Sequence, residues 1–165
     1  MTLNPHLPLV YHPNYSFNFD PKHRFVMSKF ANLYQHVKEL GLVNGNLIQP
    51  RLGCPDDLEL VHCENYLHDL WHNTLSEKAL RRIGLPWSEP LIARTFTAPL
   101  GTLETARLAL KHGIACHLAG GTHHAHTDFG SGFCMVNDLA FTAQTLIYNR
   151  EATNILIFDL DVHQG

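Results

Sequence analysis

Two short stretches of this sequence concentrate side chains that can bind a cation or move a proton. The first, GGTHHA, places His123 and His124 side by side in a glycine-rich segment. The second, DLDVHQG, places Asp159, Asp161 and His163 at alternate positions. Carboxylate oxygen and imidazole nitrogen are ligands of zinc, and imidazole also exchanges protons near pH 7. The two stretches therefore indicate metal-assisted or acid–base chemistry.

The D-x-D-x-H spacing is the more specific of the two signals. Side chains at alternate positions of a β-strand share one face, so Asp159, Asp161 and His163 are predicted to point the same way. Crowded carboxylates are costly unless a cation or hydrogen-bond donors compensate them, which predicts a divalent metal; solvated strand-end residues are the alternative. His123 and His124 are adjacent, so we expect them to handle protons of a metal-bound water rather than to ligate one ion together.

Hydrophobic periodicity predicts strands that alternate with helices. Strands are predicted at residues 7–13, 46–50, 114–120 and 154–161. Helices are predicted at residues 22–41, 58–71, 75–84, 88–113 and 138–150. Asp56 or Asp57 is the expected cap of the second helix, and Asn137 is the expected cap of the last. The helix at 88–113 is expected to break at Pro99 and Gly101 and to restart at Thr102. Strands buried on both faces indicate a parallel α/β sheet.

Both histidine-containing stretches begin where a predicted strand ends. In open parallel sheets, ligands bind at the carboxyl ends of the strands, so both stretches are expected on one rim of the sheet. The intervening GSGFC segment places Phe133 in the same region. This ring is either one wall of an apolar slot beside the metal or a core residue.

Composition excludes several functional classes. The 165 residues are 45% hydrophobic with a formal net charge of −3 and no basic run, so nucleic acid is not an expected partner. No apolar stretch approaches the ~20 residues of a membrane span, which predicts a cytoplasmic protein. The four cysteines form no C-x-x-C motif and are expected to be reduced thiols. The oligomeric state is not indicated.

Most of the 13 histidines are expected to be ordinary surface or packing residues. Those assigned to this group are His6, His36, His62, His68, His72 and His112. His126 and Asp128 are predicted to be solvated loop residues.

Three motifs in order, GGTHHA, GSGFCMVND and DLDVHQG, resemble the active-site signatures of the zinc-dependent histone deacetylase family, including its bacterial acetoin-utilization and acetylpolyamine relatives. The early YHP and KHRFVM segments also fit this family. The resemblance implies an arginase/deacetylase-like fold, a three-layer α/β/α arrangement with a mostly parallel sheet. It further implies that residues 1–165 are the N-terminal part of a single catalytic domain, so that the fold is truncated here.

The resemblance also assigns roles at the rim. It makes Asp161 and His163 two ligands of Zn²⁺, with Fe²⁺ as the alternative ion. His124 is the general base and acid, and His123 is its electrostatic partner. Asp159 orients His123 and helps to hold K⁺. The implied reaction is hydrolysis of the amide of an acetylated lysine, in a protein or a small acetylated amine, with release of acetate.

Further residues follow from the same resemblance. Gly132 and Phe133 line the substrate tunnel, and Arg24 lines the channel through which acetate leaves. The family's third zinc ligand, its oxyanion-binding tyrosine and the carboxylate that pairs with the second histidine have no counterpart in this sequence. Because a catalytic zinc normally takes three protein ligands, the 165 residues by themselves are expected to be inactive.

Two other interpretations remain open on the residues alone. An arginase-type ureohydrolase shares the fold, but its two manganese ions require D-x-H-x-D, and here the last position is Gly165. A non-catalytic module that binds acyl-lysine without cleaving it is the second alternative.

Overall fold

A computed structural model describes residues 7–164 and places a small parallel sheet at their centre. Its strands are β1 (Leu9–Val10), β2 (Leu47–Ile48) and β3 (Cys116–His117), in the order β2–β1–β3. Leu9 pairs with Leu47 on one side and with Cys116 on the other. The predicted α/β class with a parallel sheet is therefore confirmed, and the first three predicted strands are present in shortened form.

Five α-helices occur within residues 7–164, with two 3₁₀ turns at Pro13–Tyr15 and Pro55–Leu58. The helices are α1 (Lys29–Glu39), α2 (Glu64–Trp71), α3 (Glu77–Ile83), α4 (Glu89–His112) and α5 (Asp138–Tyr148). The predicted cap of α5 is confirmed, because the Ala140 N–H donates to Asn137 Oδ1 over 2.9 Å.

The predicted break in α4 is wrong. The helix continues through Pro99, and Thr102, the expected cap, lies inside it. Pro within a helix costs about 3 kcal/mol. Here Phe96, Leu100 and Leu103 around it are buried in the core, and this burial holds the helix together. The Thr102 hydroxyl contacts Ala98, His117 and Asp138 instead of capping.

Two predicted helix starts are also too early. Residues 22–28 form turns before α1 begins at Lys29, and three of them line the cleft described below. Asp57 does not cap α2; it accepts a hydrogen bond from the Cys54 N–H and forms an ion pair with Arg51. The chain then passes through a 3₁₀ turn before α2 begins at Glu64.

The fourth predicted strand, residues 154–161, is not a strand and is not buried. Leu156 is 88% exposed and Phe158 is 80% exposed. An apolar run becomes a buried strand only where a neighbouring strand pairs with it and other elements cover its faces. Residues 7–164 supply neither to this segment.

The core lies between the sheet and the helices, and α4 runs through its centre. Leu91, Phe96 and Pro99 of this helix are fully buried. None of the helices in residues 7–164 combines the length and the apolar character that crossing a membrane requires. The cytoplasmic location stays a prediction. All four cysteines are free, as expected.

Of the histidines assigned to surface or packing, His6 lies outside the described residues. His62 is buried, and its Nε2 accepts a hydrogen bond from the Asn137 N–H over 2.9 Å. His126 and Asp128 are exposed, as predicted.

The contact of α4 with β3 provides a test of this packing. A Cβ at Gly101 would overlap the Tyr15 hydroxyl and His117 Nε2. Helix propensity favours alanine over glycine by about 1 kcal/mol, so propensity predicts that Gly101→Ala raises the free energy of unfolding, whereas the overlap predicts that it lowers it. Both neighbours are held by hydrogen bonds, and we expect Gly101→Ala to lower the free energy of unfolding by about 1–3 kcal/mol in urea.

The control for this substitution is Gly120→Ala, because a Cβ at Gly120 would reach only Phe30 Cε1, at 4.0 Å. We expect its free energy of unfolding to stay within about 0.5 kcal/mol of wild type. A Gly101→Ala protein that is as stable as wild type or more so would contradict the packing.

Candidate active site

A cleft of about 330 Å³ opens beside the GGTHHA loop. It is bounded by the segment before α1, the glycine-rich loops on both sides of His124, and the last described residues. Seven of the eight residues singled out in the sequence line it: Arg24, His123, His124, Gly132, Phe133, Asp161 and His163. The eighth, Asp159, contacts the cleft residue His123.

The two adjacent histidines contact each other and a carboxylate. His123 Nδ1 lies 2.6 Å from Asp159 Oδ2, and His123 Nε2 lies 3.1 Å from His124 Nε2. An ionised carboxylate only accepts hydrogen bonds, so we assign the His123 proton to Nδ1. His123 Nε2 then accepts from His124 Nε2–H. This arrangement can pass or share a proton between the two rings.

The protonation equilibria of these groups suit proton transfer. Burial, together with the neighbouring His123 and His163, lowers the pKa of His124, so this imidazole is neutral at pH 7. Hydrogen bonds from the Asp161 N–H and from His123 lower the pKa of Asp159, which therefore stays ionised. A neutral imidazole can accept a proton, which is the first requirement of a general base.

Asp161 and His163 come together through local hydrogen bonds rather than through a strand. The His163 N–H donates to Asp161 Oδ1 over 2.7 Å, and His163 Nδ1 lies 2.9 Å from the same oxygen. The Asp161 N–H in turn donates to Asp159 Oδ1 over 2.9 Å. Asp159, Asp161 and His163 are thus linked one to the next by hydrogen bonds, but the predicted strand that was to align their side chains on one face is absent.

Asp161 and His163 have side chains of the types that bind zinc, and they would supply two of the three protein ligands that a catalytic zinc normally takes. One is a carboxylate and the other an imidazole, and both face the cleft beside His124, with the rings of His124 and His163 6.2 Å apart. Hydrogen bonds from His163 lower the pKa of Asp161, so this carboxylate is ionised. Within residues 7–164 no three His, Cys, Asp or Glu side chains gather closely enough to hold an ion.

A buried carboxylate that sequence reasoning missed holds the histidine loop in place. Asp138, 1% exposed, accepts hydrogen bonds at Oδ1 from the Thr122 N–H over 2.6 Å and from the Thr122 hydroxyl over 2.7 Å. Its Oδ2 accepts from the Thr102 hydroxyl over 2.5 Å. The preceding Asn137 donates from Nδ2 to the Ala125 carbonyl over 3.1 Å. The start of α5 thus binds the loop on both sides of His123 and His124.

The same network reaches the sheet through His117 of β3. His117 Nδ1 lies 3.1 Å from the Thr102 hydroxyl, and His117 Nε2 lies 2.8 Å from the Tyr15 hydroxyl. Burial lowers the pKa of His117 to about 4, so the ring is neutral. Polar residues inside the core therefore connect β3, α4 and the loop. The only sequence signal for this hydrogen-bond network is the position of Asn137 and Asp138 at a predicted helix start.

Phe133 forms one wall of the cleft and also packs against the core, so both sequence interpretations are correct in part. It has φ +66° and follows Gly132 with φ +54°, both in the left-handed region. The Phe133 ring contacts the rings of His23 and Phe25. A Cβ at Gly132 would lie 2.7 Å from His124 Cδ2, so glycine is required for the close approach of the histidine.

Two arginines line the cleft, and only one was singled out in the sequence. Arg24 is exposed, with its Cζ 5.8 Å from the centre of the Phe133 ring. Arg94 of α4 is 5% exposed and was missed, because its position in a helix of mixed polarity carries no motif. The role of Arg24 in acetate release stays a prediction.

Comparison with known proteins agrees with this geometry. The histone deacetylase domain matches residues 23–165 of this chain. Because the match covers most of the sequence, the chain belongs to the histone deacetylase family.

Individual relatives are bacterial. The chain is 50% identical over 159 residues to an uncharacterized protein of Picosynechococcus sp., covering 96% of this chain and 53% of that protein. It is 35% identical over 142 residues to the acetoin utilization protein AcuC of Staphylococcus aureus, covering 75% of this chain and 36% of AcuC. With AcuC of Staphylococcus xylosus the identity is 30% over 162 residues, 90% of this chain and 41% of AcuC. The chain spans about half or less of the length of these curated relatives.

Neutral His117 makes stability depend on pH in a defined direction. Its pKa is about 4 in the folded protein and 6.5 in the unfolded chain, so the unfolded chain binds the extra proton between these values. The free energy of unfolding therefore falls as the pH falls from 6.5 to 4, by up to about 3 kcal/mol from this residue. Urea unfolding at pH 7.0 and pH 4.5 measures the effect.

His117→Gln is the matched variant, because it removes the titrating ring but keeps a polar side chain. His12 and His62 also have pKa values lowered by burial, and they contribute equally to both proteins. We expect a smaller loss of stability between the two pH values in the variant. The same loss in both proteins would exclude His117 as the source.

Proposed function

We propose that the protein is a metal-dependent deacetylase that hydrolyses the amide of an acetylated lysine, in a protein or a small acetylated amine, and releases acetate. One observation carries this proposal: His123 and His124 contact each other, His123 contacts Asp159, and the pair shares a cleft with Asp161 and His163. Membership of the histone deacetylase family supports the same chemistry.

In this proposal His124 is the general base and acid. Its neutral imidazole accepts a proton from the water that adds to the acetyl carbonyl carbon. The resulting imidazolium then donates this proton to the amine nitrogen as the C–N bond breaks. His123, oriented by Asp159 over 2.6 Å, stabilises the positive charge while His124 holds the proton.

Asp161 and His163 would hold the metal, with zinc as the proposed ion and iron as the alternative. A metal at this position supplies a Lewis acid for the acetyl carbonyl and lowers the pKa of water. We also propose potassium beside Asp159. Its ionised carboxylate supports this placement.

Gly132 and Phe133 are proposed to contact the substrate. Phe25 and Phe133, whose ring centres are 5.6 Å apart, give the cleft an apolar wall suited to the methylene stem of lysine. A volume of about 330 Å³ is within the range of small-molecule sites.

We propose that residues 1–165 are the N-terminal part of one catalytic domain. Two findings support this: the chain covers 53% of a relative that is 50% identical, and the apolar side chains of Leu156 and Phe158 are exposed. These exposed side chains would be covered by the rest of the domain.

Replacement of the proposed base tests the mechanism. In the full-length protein, His124→Ala is expected to lower kcat for acetate release from an acetyl-lysine peptide by about 10²- to 10⁴-fold, because the proton of water loses its acceptor. His126→Ala is the matched control, since His126 is exposed and lies two residues away. Coupled detection of acetate measures both variants.

Turnover by His124→Ala equal to wild type would remove His124 as the base. Absence of turnover in wild type with every acetylated substrate would instead support the alternative of a module that binds acyl-lysine without cleaving it.

The metal assignment predicts a difference between the full-length protein and residues 1–165. We expect one tightly bound zinc per full-length chain, and we expect Asp161→Asn to lose it. Asp128→Asn, at an exposed residue, is the control and should keep the zinc. Residues 1–165 alone are expected to bind zinc weakly and to release no acetate, because two ligands are too few. Metal analysis after dialysis measures both, and zinc-dependent acetate release by residues 1–165 would contradict the proposal.

A further inference from the structure

His62 is a buried histidine that the proposed mechanism does not use. The residue is 3% exposed and lies two positions before α2. Its ring contacts the main chain at two places: Nδ1 lies 3.3 Å from the Thr127 carbonyl oxygen, and the Asn137 N–H donates to Nε2 over 2.9 Å. One imidazole therefore holds both ends of the segment from Thr127 to Asn137, which carries Gly132 and Phe133 of the cleft.

The two partners of His62 determine which ring nitrogen carries the proton. A carbonyl oxygen only accepts hydrogen bonds and a main-chain N–H only donates them, so Nδ1 is protonated and Nε2 is not. Burial lowers the pKa of His62, so this neutral form is the one present at pH 7. The ring thus supplies one donor to Thr127 and one acceptor to Asn137, which aliphatic side chains cannot do.

Asn137 carries this constraint from His62 to the loop that contains His123 and His124. Its Nδ2 donates to the Ala125 carbonyl over 3.1 Å and lies 3.4 Å from the His123 carbonyl oxygen. These two carbonyls belong to the residues on either side of His124. Since the main-chain N–H of Asn137 is held by His62, a displacement of His62 moves the group that fixes the backbone around His124.

The bond to Thr127 fixes the same loop beyond the histidine pair. The Thr127 carbonyl also accepts from the Cys63 N–H over 2.9 Å, and a carbonyl oxygen has two lone pairs for the two donors. Asp138 holds the loop before the pair, at Thr122. The loop is therefore anchored before His123 from α5 and after His124 from the residues that precede α2.

We propose that His62 is a positioning residue of the candidate active site, which orients His124 through Asn137 and Thr127. His62 lies outside the described lining of the cleft, so it acts through these residues and not on the reacting atoms. A displacement of a catalytic group by about 1 Å can cost about 10²-fold in rate. The effect on turnover rests on the proposed function, whereas the effect on the position of the His124 ring does not.

Asparagine and glutamine at position 62 separate the two hydrogen bonds. The amide of asparagine reaches the place of Nδ1 and can donate to Thr127, whereas the amide oxygen of glutamine reaches the place of Nε2 and can accept from Asn137. In the full-length protein we expect His62→Asn to lower kcat for acetate release at least about tenfold and to leave KM within about twofold. We expect His62→Gln to retain more of the wild-type kcat. Equal kcat in wild type and His62→Asn would overturn the proposal.

His12→Gln is the matched control for lost stability. His12 is 6% exposed and lies outside the described cleft lining, and its Nδ1 accepts from the Asn14 N–H over 3.0 Å. Glutamine there also replaces a buried imidazole by an amide and removes the acceptor of a main-chain N–H. We expect lower stability in urea but a kcat within about twofold of wild type. A fall in kcat as large as that of His62→Asn would overturn the proposal.

NMR of the same proteins tests the positioning without turnover. We expect the Asn137 amide to exchange with solvent at least about tenfold faster in His62→Asn than in wild type, with a change in the ¹⁵N signals of the His124 ring. Unchanged His124 signals in His62→Asn, or a wild-type His62 protonated on Nε2, would overturn the proposal. If wild type releases no acetate from any substrate but the His124 signals respond, the proposed function fails and the positioning role stands.

Asn137→Asp tests the second step if His62→Asn does not fold. Aspartate keeps an oxygen that can cap α5 but lacks the N–H that donates to the Ala125 carbonyl. We expect this variant to lower kcat at least about tenfold and to change the His124 ring signals. Wild-type kcat together with unchanged His124 signals would overturn the proposal, because the path from His62 to His124 runs through this amide.

Discussion

The candidate active site depends on one buried carboxylate. Asp138 begins α5 and accepts two hydrogen bonds from Thr122 and one from Thr102. A carboxylate that is 1% exposed is tolerated only when donors surround it, so the loop and the helix are bound to each other by the need to satisfy this charge. Because Thr122 immediately precedes His123, this constraint sets the position of both histidines of the candidate site.

The constraint extends from the loop into the fold. Thr102 lies within α4, whose neighbouring residues are buried in the core, and His117 lies on β3 of the sheet. The hydrogen bonds from Asp138 through Thr102 and His117 to Tyr15 connect helix, strand and loop, and both ends of this chain of contacts, Asp138 and Tyr15, are buried. Such a network is rigid when every member is satisfied. The loop that carries His123 and His124 is therefore held in place by α4 and the sheet.

Much of the site could be predicted from the sequence, but the interactions that support it could not. The His-His and D-x-D-x-H patterns identified four side chains that line the cleft and a fifth, Asp159, that contacts one of them, because ligand chemistry restricts which residue types occur together. Arg94 and Asp138 were missed, since each acquires its role from a distant partner: Tyr15 for Arg94, and Thr122 for Asp138. Such pairings of residues far apart in the chain leave no local periodicity.

The errors in the fold have the same origin. Local propensity predicted a break at Pro99, whereas burial of the surrounding helix outweighs the cost of proline. Conversely, the apolar run at residues 154–161 predicted a buried strand, but burial needs surfaces that residues 7–164 do not supply to it. In both cases the secondary structure depends on the elements that pack against the segment, and the local sequence pattern does not specify these tertiary contacts.

The central claim is that His123 and His124 form an oriented pair in which Asp159 holds the proton on His123 Nδ1. ¹⁵N NMR of the histidine side chains at neutral pH tests it most directly, because the nitrogen shifts and their couplings report which ring nitrogen carries the proton. We expect His123 to be protonated on Nδ1 and His124 on Nε2, and we expect the His123 signals to change in Asp159→Asn. A His123 ring protonated on Nε2 alone, and unaffected by Asp159→Asn, would contradict it.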